Sequence, residues 1–125
     1  MSRNDLVVLA VDDDLINLKL LNSMLMRSDY VKEVIEARNG ADAIDKLKNR
    51  DDIDLILLDV IMPIMGGLEM LKVVRADENL RQLPIVVLTT DETKKSEALE
   101  FGANDFLMKP IKKDDLMRKI ATVIL

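Results

Sequence analysis

The sequence predicts an α/β fold in which strands and helices alternate five times and the strands form one parallel sheet. Three short runs, Leu6–Val11, Ile53–Leu58 and Pro84–Leu88, consist mainly of leucine and β-branched residues. None of them alternates with polar residues, which is typical of strands covered on both faces. Apolar residues at helical spacing lie between the runs. This order favours right-handed crossovers and a doubly wound sheet in a three-layer α/β/α arrangement.

The first two strands are predicted at Leu6–Val11 and, more weakly, at Val31–Ala37. The pair Asn39-Gly40 after the second strand indicates a turn into the next helix. The apolar positions of the first helix are Ile16, Leu18, Leu20, Leu21, Met24 and Leu25, and those of the second are Ala43, Ile44 and Leu47. Their spacing predicts two strand–helix units in this part of the chain.

Three more units follow in the same order. The third strand precedes the pair Gly66-Gly67, and the fifth strand is a weak candidate at Asp105–Met108. The apolar positions of the three helices are Leu68, Leu71 and Val74, then Ala98, Leu99 and Phe101, and finally Leu116, Ile120 and Val123. The fourth helix, within Thr93–Phe101, therefore has little apolar surface to hold it. No linker or shift in composition divides the 125 residues, so we expect one domain over 1–125 with no output domain in this chain.

Composition limits the chemistry of this chain. Its 23 acidic and 18 basic residues give a net charge of −5, which disfavours direct binding to nucleic acid or to an anionic membrane. It has no cysteine and no histidine, so thiol and imidazole chemistry are excluded. No apolar run approaches the ~20 residues that span a bilayer, and we expect a cytoplasmic protein. The groups that remain for chemistry are carboxylates, lysine, hydroxyls and a bound hard cation.

Polar residues follow the predicted strands at their carboxyl ends, where doubly wound sheets bind their ligands. Asp12 and Asp13 follow the first strand, Asp59 the third, Thr89 the fourth and Lys109 the fifth. The first and third strands would be neighbours, so their carboxylates would repel each other unless a cation joins them. A small set of oxygen ligands suits Mg²⁺. We therefore expect a phosphoryl-transfer site in which Asp59 attacks phosphorus while the metal and the lysine neutralise oxygens.

Neighbouring chemistries are less well supported by the residues. Asp14 is expected to cap the first helix rather than to bind metal. Neither a GxxxxGK[ST] nor a GxGxxG loop occurs, so the main sequence signal of nucleotide-binding folds is absent. A metal-dependent phosphatase with Asp59 as nucleophile would need an acid two residues later to protonate the leaving group, and Ile61 stands there. A phosphoryl acceptor is favoured over a phosphatase.

Five motifs cover nearly the whole chain, from Val7 to about Val123. They are Val11–Asn17, Asp54–Asp59, Met62–Gly67, Leu83–Thr89 and Gly102–Pro110. In this combination the sequence resembles CheY-like response-regulator receiver domains, the phospho-acceptor modules of two-component signalling. The resemblance implies a flavodoxin-like (βα)₅ sheet with strand order 2-1-3-4-5.

The resemblance also implies a role for each site residue. Asp59 would be phosphorylated, and it would bind Mg²⁺ together with Asp13 directly, Asp12 through water and Ile61 through its backbone carbonyl. Lys109 would pair with the phosphoryl group and be aimed by a cis peptide to the following proline.

A switch and its partners are implied as well. Thr89 would move to bond a phosphoryl oxygen, and Phe106 would be the switch aromatic, although its ring has no hydroxyl for a hydrogen-bonded readout. The surface near helix 4, strand 5 and helix 5 would bind a downstream protein target. Since the chain has no histidine, the phosphodonor would be a histidine kinase, a phosphotransfer protein or a small phospho-compound. Such a domain is a signalling switch that promotes its own phosphorylation and dephosphorylation, rather than an enzyme, and a phosphorylation-dependent dimer is compatible with it.

Three residues depart from the common pattern. Gly66 stands where an acidic or amide residue is frequent, which concerns turn geometry more than chemistry. Thr90 replaces a smaller residue, and Ile61 places an apolar side chain near the acyl phosphate. We expect these last two residues to slow hydrolysis of the phosphorylated form. A pseudo-receiver that never takes phosphate is a further alternative, but the joint presence of the acids, Thr89 and Lys109 speaks against it.

Overall fold

Strands and helices alternate five times, as the sequence predicts. The computed structural model describes residues 4–124. The elements are β1 (Leu6–Val11), α1 (Leu15–Met26), β2 (Val31–Ala37), α2 (Gly40–Asn49), β3 (Leu55–Asp59), α3 (Gly67–Ala76), β4 (Ile85–Thr89), α4 (Lys94–Glu100), β5 (Asp105–Met108) and α5 (Lys113–Ile124). Only the edges of β3 and β4 differ from the predicted runs, by one or two residues.

The five strands form one parallel sheet in the order β2-β1-β3-β4-β5, which confirms the predicted flavodoxin-like fold. In the register of β1 and β3, Val11 lies beside Leu58. The residues that follow these two therefore lie side by side at the carboxyl edge of the sheet. This pairing brings Asp12 close to Asp59 although 46 residues separate them in the chain.

Alternate residues of each strand point to opposite faces of the sheet, and helices cover both. Val8 and Leu57 pack with α1 and α5, whereas Leu9 and Leu58 pack with α2, α3 and α4. Both faces are buried, which explains why the central strands are apolar throughout. Among residues 4–124 no helix is both long and apolar enough to cross a membrane.

Helix α1 is apolar on two faces, so its spacing could not tell which face is buried. Leu18, Leu21 and Leu25 are buried against the sheet, whereas Ile16 and Leu20 are largely exposed. Ile16 and Leu20 thus belong to the face that does not pack inward.

Helix α4 is the least anchored helix, in agreement with its sparse apolar content. It has seven residues, and only Ala98 is buried. Thr93 precedes it without a capping hydrogen bond from its side chain, and Leu99 is exposed. Elements with so few buried contacts lie at the low-stability end of a fold.

Candidate functional site

The carboxyl edge of the sheet brings three aspartates together. Asp12 and Asp13 follow β1, Asp59 ends β3, and one carboxylate oxygen of each lies within 4.8 Å of the other two. Asp12 is almost completely buried, Asp59 is mostly buried, and Asp13 faces solvent. The three carboxylates that the sequence singled out as metal ligands are therefore adjacent.

Lys109 reaches the same point from the end of β5. Its Nζ donates hydrogen bonds of 3.1 Å to Asp12 Oδ2 and 3.1 Å to Asp59 Oδ1. Its backbone N–H donates to the carbonyl of Thr89 at 2.8 Å, and the peptide that joins it to Pro110 is cis. The lysine is thus held between the two mostly buried carboxylates.

The electrostatics of this cluster favour an additional cation. Burial disfavours the charged form of Asp59 and raises its pKa above 3.8; the ammonium of Lys109 opposes the rise, and the nearby Asp12 carboxylate adds to it. Burial also opposes the charge of the lysine, but hydrogen bonds and attraction from both aspartates outweigh it, so the pKa of Lys109 is raised. Three carboxylates share one ammonium, and a negative excess remains.

Backbone N–H groups orient the acidic segment after β1. The N–H of Asp14 donates to Asp12 Oδ1 at 3.0 Å, which leaves the other oxygen of Asp12 for the lysine. Asp14 Oδ1 accepts from the N–H of Ile16 at 2.8 Å, so the predicted helix cap is confirmed. Asp13, between these two, has no role in capping and presents its carboxylate to solvent.

The donors present at the cluster fit a hard divalent cation. All three side chains offer oxygen, and the exposed Asp13 leaves space for water molecules, which Mg²⁺ retains in most sites. Ile61 follows Asp59 by two residues, its side chain is exposed, and its carbonyl accepts no hydrogen bond from residues 4–124. A carbonyl oxygen of this kind is available as a further ligand.

Thr89 and Phe106 lie outside the carboxylate cluster. Thr89 is buried, and its Oγ1 accepts from the N–H of Asp91 at 3.0 Å and lies 3.4 Å from the Asp91 carbonyl. The hydroxyl therefore faces the turn that leads to α4. Phe106 is half-buried, and Lys95 Nζ lies 4.3 Å from the centre of its ring. This cation–π contact between α4 and β5 was not foreseen.

Sequence reasoning also missed the part that glycine plays beside Asp59. A Cβ on Gly67 would lie 2.1 Å from the carbonyl oxygen of Asp59, so only glycine allows α3 to start this close to β3. The pair Gly66-Gly67, which follows Met62-Pro63 after two residues, was the available signal. From the sequence, Gly66 concerns turn geometry, and the close approach of Gly67 to the site is not predicted.

Comparisons with known proteins agree with this fold and identify its family. The model of the response regulator receiver domain matches residues 8–121. Two-component response regulator ORR7 of rice (Oryza sativa subsp. japonica) is 34% identical over 89% of this chain. The match covers 53% of the length of ORR7, so this chain spans about half of that protein. Chemotaxis protein CheY1 of Helicobacter pylori (strain J99) is 34% identical over 94% of this chain and 95% of its own length.

A solved structure of a receiver domain has the same fold as this chain. The receiver domain of sensor histidine kinase PA1611 from Pseudomonas aeruginosa PAO1, which has a magnesium ion coordinated in its active site cleft, aligns with a TM-score of 0.86. The two sequences are 30% identical, and the alignment covers 95% of this chain and 97% of that one. Family model, relatives and fold lead to one conclusion: the chain belongs to the response regulator receiver domain family.

Proposed function

We propose that this chain accepts a phosphoryl group on Asp59 in a reaction that needs Mg²⁺. The observation that carries the proposal is the meeting of three aspartate oxygens within 4.8 Å of one another, with Lys109 hydrogen-bonded to two of these aspartates. Asp12, Asp13, Asp59 and the carbonyl of Ile61 would hold the cation. The magnesium ion reported in the Pseudomonas receiver domain supports this choice of metal.

The chemical step transfers phosphorus between two nucleophiles. A carboxylate oxygen of Asp59 forms a bond to phosphorus while the bond from phosphorus to the donor atom breaks. The electron pair stays with the donor, either a histidine nitrogen or the acetate oxygen of acetyl phosphate, and Asp59 becomes an acyl phosphate. A bound Mg²⁺ would supply positive charge beside the phosphoryl oxygens. Lys109 would exchange one of its two carboxylate partners for one of those oxygens.

The donor must come from outside the chain, which contains no histidine. A histidine kinase or a histidine phosphotransfer protein is the donor that the family implies, and a small acyl phosphate can serve the same chemistry. The side chain of Asp59 is only 13% exposed, so the donor phosphorus has to enter the cleft rather than react at the surface.

The output is a change of conformation rather than turnover of a substrate. Thr89 is bonded to Asp91 at the start of the turn into α4, and α4 is weakly anchored. If the threonine hydroxyl moves to a phosphoryl oxygen, this turn loses a partner, and α4 and Phe106 can adjust. A downstream protein would then read the surface formed by α4, β5 and α5.

The test is incubation with acetyl phosphate and Mg²⁺, followed by intact mass measurement. We expect wild type and the control Asp51→Asn, an exposed aspartate away from the cluster, to gain the mass of one phosphoryl group. Asp59→Asn should gain none, and chelation of Mg²⁺ should prevent the gain in wild type. A folded wild type that gains no mass would favour the pseudo-receiver, and steady turnover of a phosphoester would favour the phosphatase.

The lifetime of the phosphorylated form tests the effect of two departures from the family pattern. Ile61 and Thr90 both expose their side chains. We expect Ile61→Asn and Thr90→Ala each to speed the loss of the phosphoryl group from Asp59, because a smaller or polar side chain admits water. The decay of the phosphorylated mass after removal of the donor measures this, and equal decay in all three proteins would contradict it.

A further inference from the structure

The β3–α3 loop, residues 60–66, directly follows Asp59 of the carboxylate cluster and contains a strained turn. The N–H of Met65 donates to the carbonyl of Pro63 at 2.7 Å, which closes a three-residue turn around Ile64. Ile64 has a φ of +68°, a conformation that is rare and unfavourable for a β-branched residue. Strain of this kind persists only where neighbouring contacts hold it.

The side chain of Ile64 does not supply those contacts. It is 83% exposed, so little packing compensates for its backbone conformation. The neighbouring Met65 is instead partly buried against the core under α2 and α3. Met65 therefore supplies contacts that help to maintain the turn, together with the partly buried Met62.

Met65 contacts the first residue of α2. Its carbonyl accepts the N–H of Gly40 at 2.9 Å, which satisfies a backbone donor at the start of that helix. A Cβ on Gly40 would lie 2.7 Å from Met65 Cγ and 2.9 Å from the Met65 carbonyl oxygen. This contact, which we name the Gly40–Met65 latch, therefore requires glycine at position 40.

The other end of the loop is fixed as well. The N–H of Gly67 donates to the carbonyl of Val60 at 2.8 Å, directly after Asp59. Between the two attachments lies Ile61, whose carbonyl has no hydrogen-bond partner among residues 4–124. The position of this carbonyl thus depends on how the loop is anchored, which is at its two ends and through the partly buried Met62.

We propose that the Gly40–Met65 latch is a positioning contact for the metal site: it fixes the β3–α3 loop so that the Ile61 carbonyl stays within reach of the divalent cation. The inference rests on the proposed function and adds a link from α2 to that site. Groups that orient metal ligands typically change affinity by about 10–100-fold when they are removed. The strained Ile64 is the cost of presenting both the Met65 and the Ile61 carbonyls from one short loop.

The first experiment compares Gly40→Ala with Ile44→Val, which loosens the same helix at a residue that is not part of the latch. Mg²⁺ affinity is measured by following backbone amide shifts during titration, and the melting temperature is measured in parallel. We expect both variants to melt earlier, but only Gly40→Ala to bind Mg²⁺ more weakly, by about 10-fold. Equal Mg²⁺ affinity in the two folded variants would overturn the inference.

A second measurement uses the wild-type chain and does not depend on a variant that folds. Exchange of the Gly40 amide hydrogen is followed with and without Mg²⁺. We expect Mg²⁺ to slow this exchange, since a fixed loop holds the Met65 carbonyl on the Gly40 N–H. If Mg²⁺ shifts the amides of Asp13 and Ile61 but leaves Gly40 exchange unchanged, the latch is not coupled to the metal. If no amide near the three aspartates responds, the proposed metal site itself is wrong.

Discussion

Two clusters in this protein each place one basic side chain between two carboxylates. At the carboxyl edge of the sheet, Lys109 Nζ lies 3.1 Å from Asp12 and 3.1 Å from Asp59. At the amino edge, Arg50 lies 2.9 Å from Glu33 and 2.7 Å from Asp52. The side chains of the first cluster are 16%, 2% and 13% exposed, against 33%, 43% and 50% in the second. The charges are the same and the burial is not.

Burial changes what the same charges do. In the exposed cluster, hydrogen bonds from Arg50 lower the pKa of Glu33 and of Asp52, so the arginine favours the ionised form of both acids. In the buried cluster, desolvation raises the pKa of Asp59 in spite of the neighbouring lysine. The exposed cluster is satisfied by its arginine, whereas the buried one, with Asp13 beside it, still lacks positive charge. Each cluster has two ion pairs, so their number does not distinguish the clusters, whereas the burial of the side chains does.

Replacing the basic residue should give the largest difference between the two clusters, in the rate of phosphorylation. We expect Lys109→Met to slow phosphorylation of Asp59 by about 100-fold or more, as is usual when a donor to a developing anionic oxygen is lost. Arg50→Met should leave the rate unchanged, because no phosphoryl group reaches the amino edge. The initial rate of mass gain from acetyl phosphate measures both. Similar rates in the two variants would show that the lysine takes no part in the transfer.

Neutralising one acid gives the next largest difference. Asp13→Asn removes a charged ligand and should weaken Mg²⁺ binding by about 10-fold or more, while Asp52→Asn should have no effect. The heat of Mg²⁺ titration at low ionic strength measures the two affinities. A loss of affinity in Asp52→Asn would mean that the acidic surface, and not the cluster, attracts the ion.

The buried cluster could be predicted from the sequence, because parallel strand order decides which residues meet, whereas the exposed cluster around Arg50 was not predicted. Asp12 and Asp59 follow clearly predicted strands and Lys109 follows a weaker candidate, so their convergence at one edge was predictable. The buried face of α1 was not, since that helix is apolar on both sides. Nor was the bond from Thr89 to Asp91 or the Gly40–Met65 latch, because both depend on loop geometry that spacing does not encode.

Without metal, neutralising the carboxyl of Asp59 should stabilise the fold, whether a mutation or acid neutralises it. The pKa of Asp59 is higher in the folded than in the unfolded chain, so its ionised form disfavours folding at neutral pH. We expect Asp59→Asn to raise the melting temperature by about 2–5 °C in the absence of Mg²⁺. The gain should shrink as the pH falls through the raised pKa of Asp59, since the wild-type carboxyl is then neutral too. Thermal melts of both proteins across this pH range test it, and a gain that grows with acid would contradict the sign.

The exposed cluster should give the smallest effect. Arg50→Gln removes two ion pairs that are screened by solvent, so we expect a melting temperature close to that of wild type at physiological salt. Any remaining difference should fade as salt is added, because the Debye length shortens. Melts of the two proteins at low and high salt provide the comparison. A large loss that salt does not reduce would mean that Arg50 supports the fold through packing.

The most direct measurement is a titration of the isotopically labelled protein with Mg²⁺, observed through its backbone amide signals. The buried cluster is predicted to bind one ion, so the amides of Asp12, Asp13, Asp59 and Ile61 should shift together along a single saturable curve. The amides of Glu33 and Asp52 should stay where they are. Shifts at the exposed cluster alone, or no saturable shift at residues 12, 13 and 59, would contradict the account.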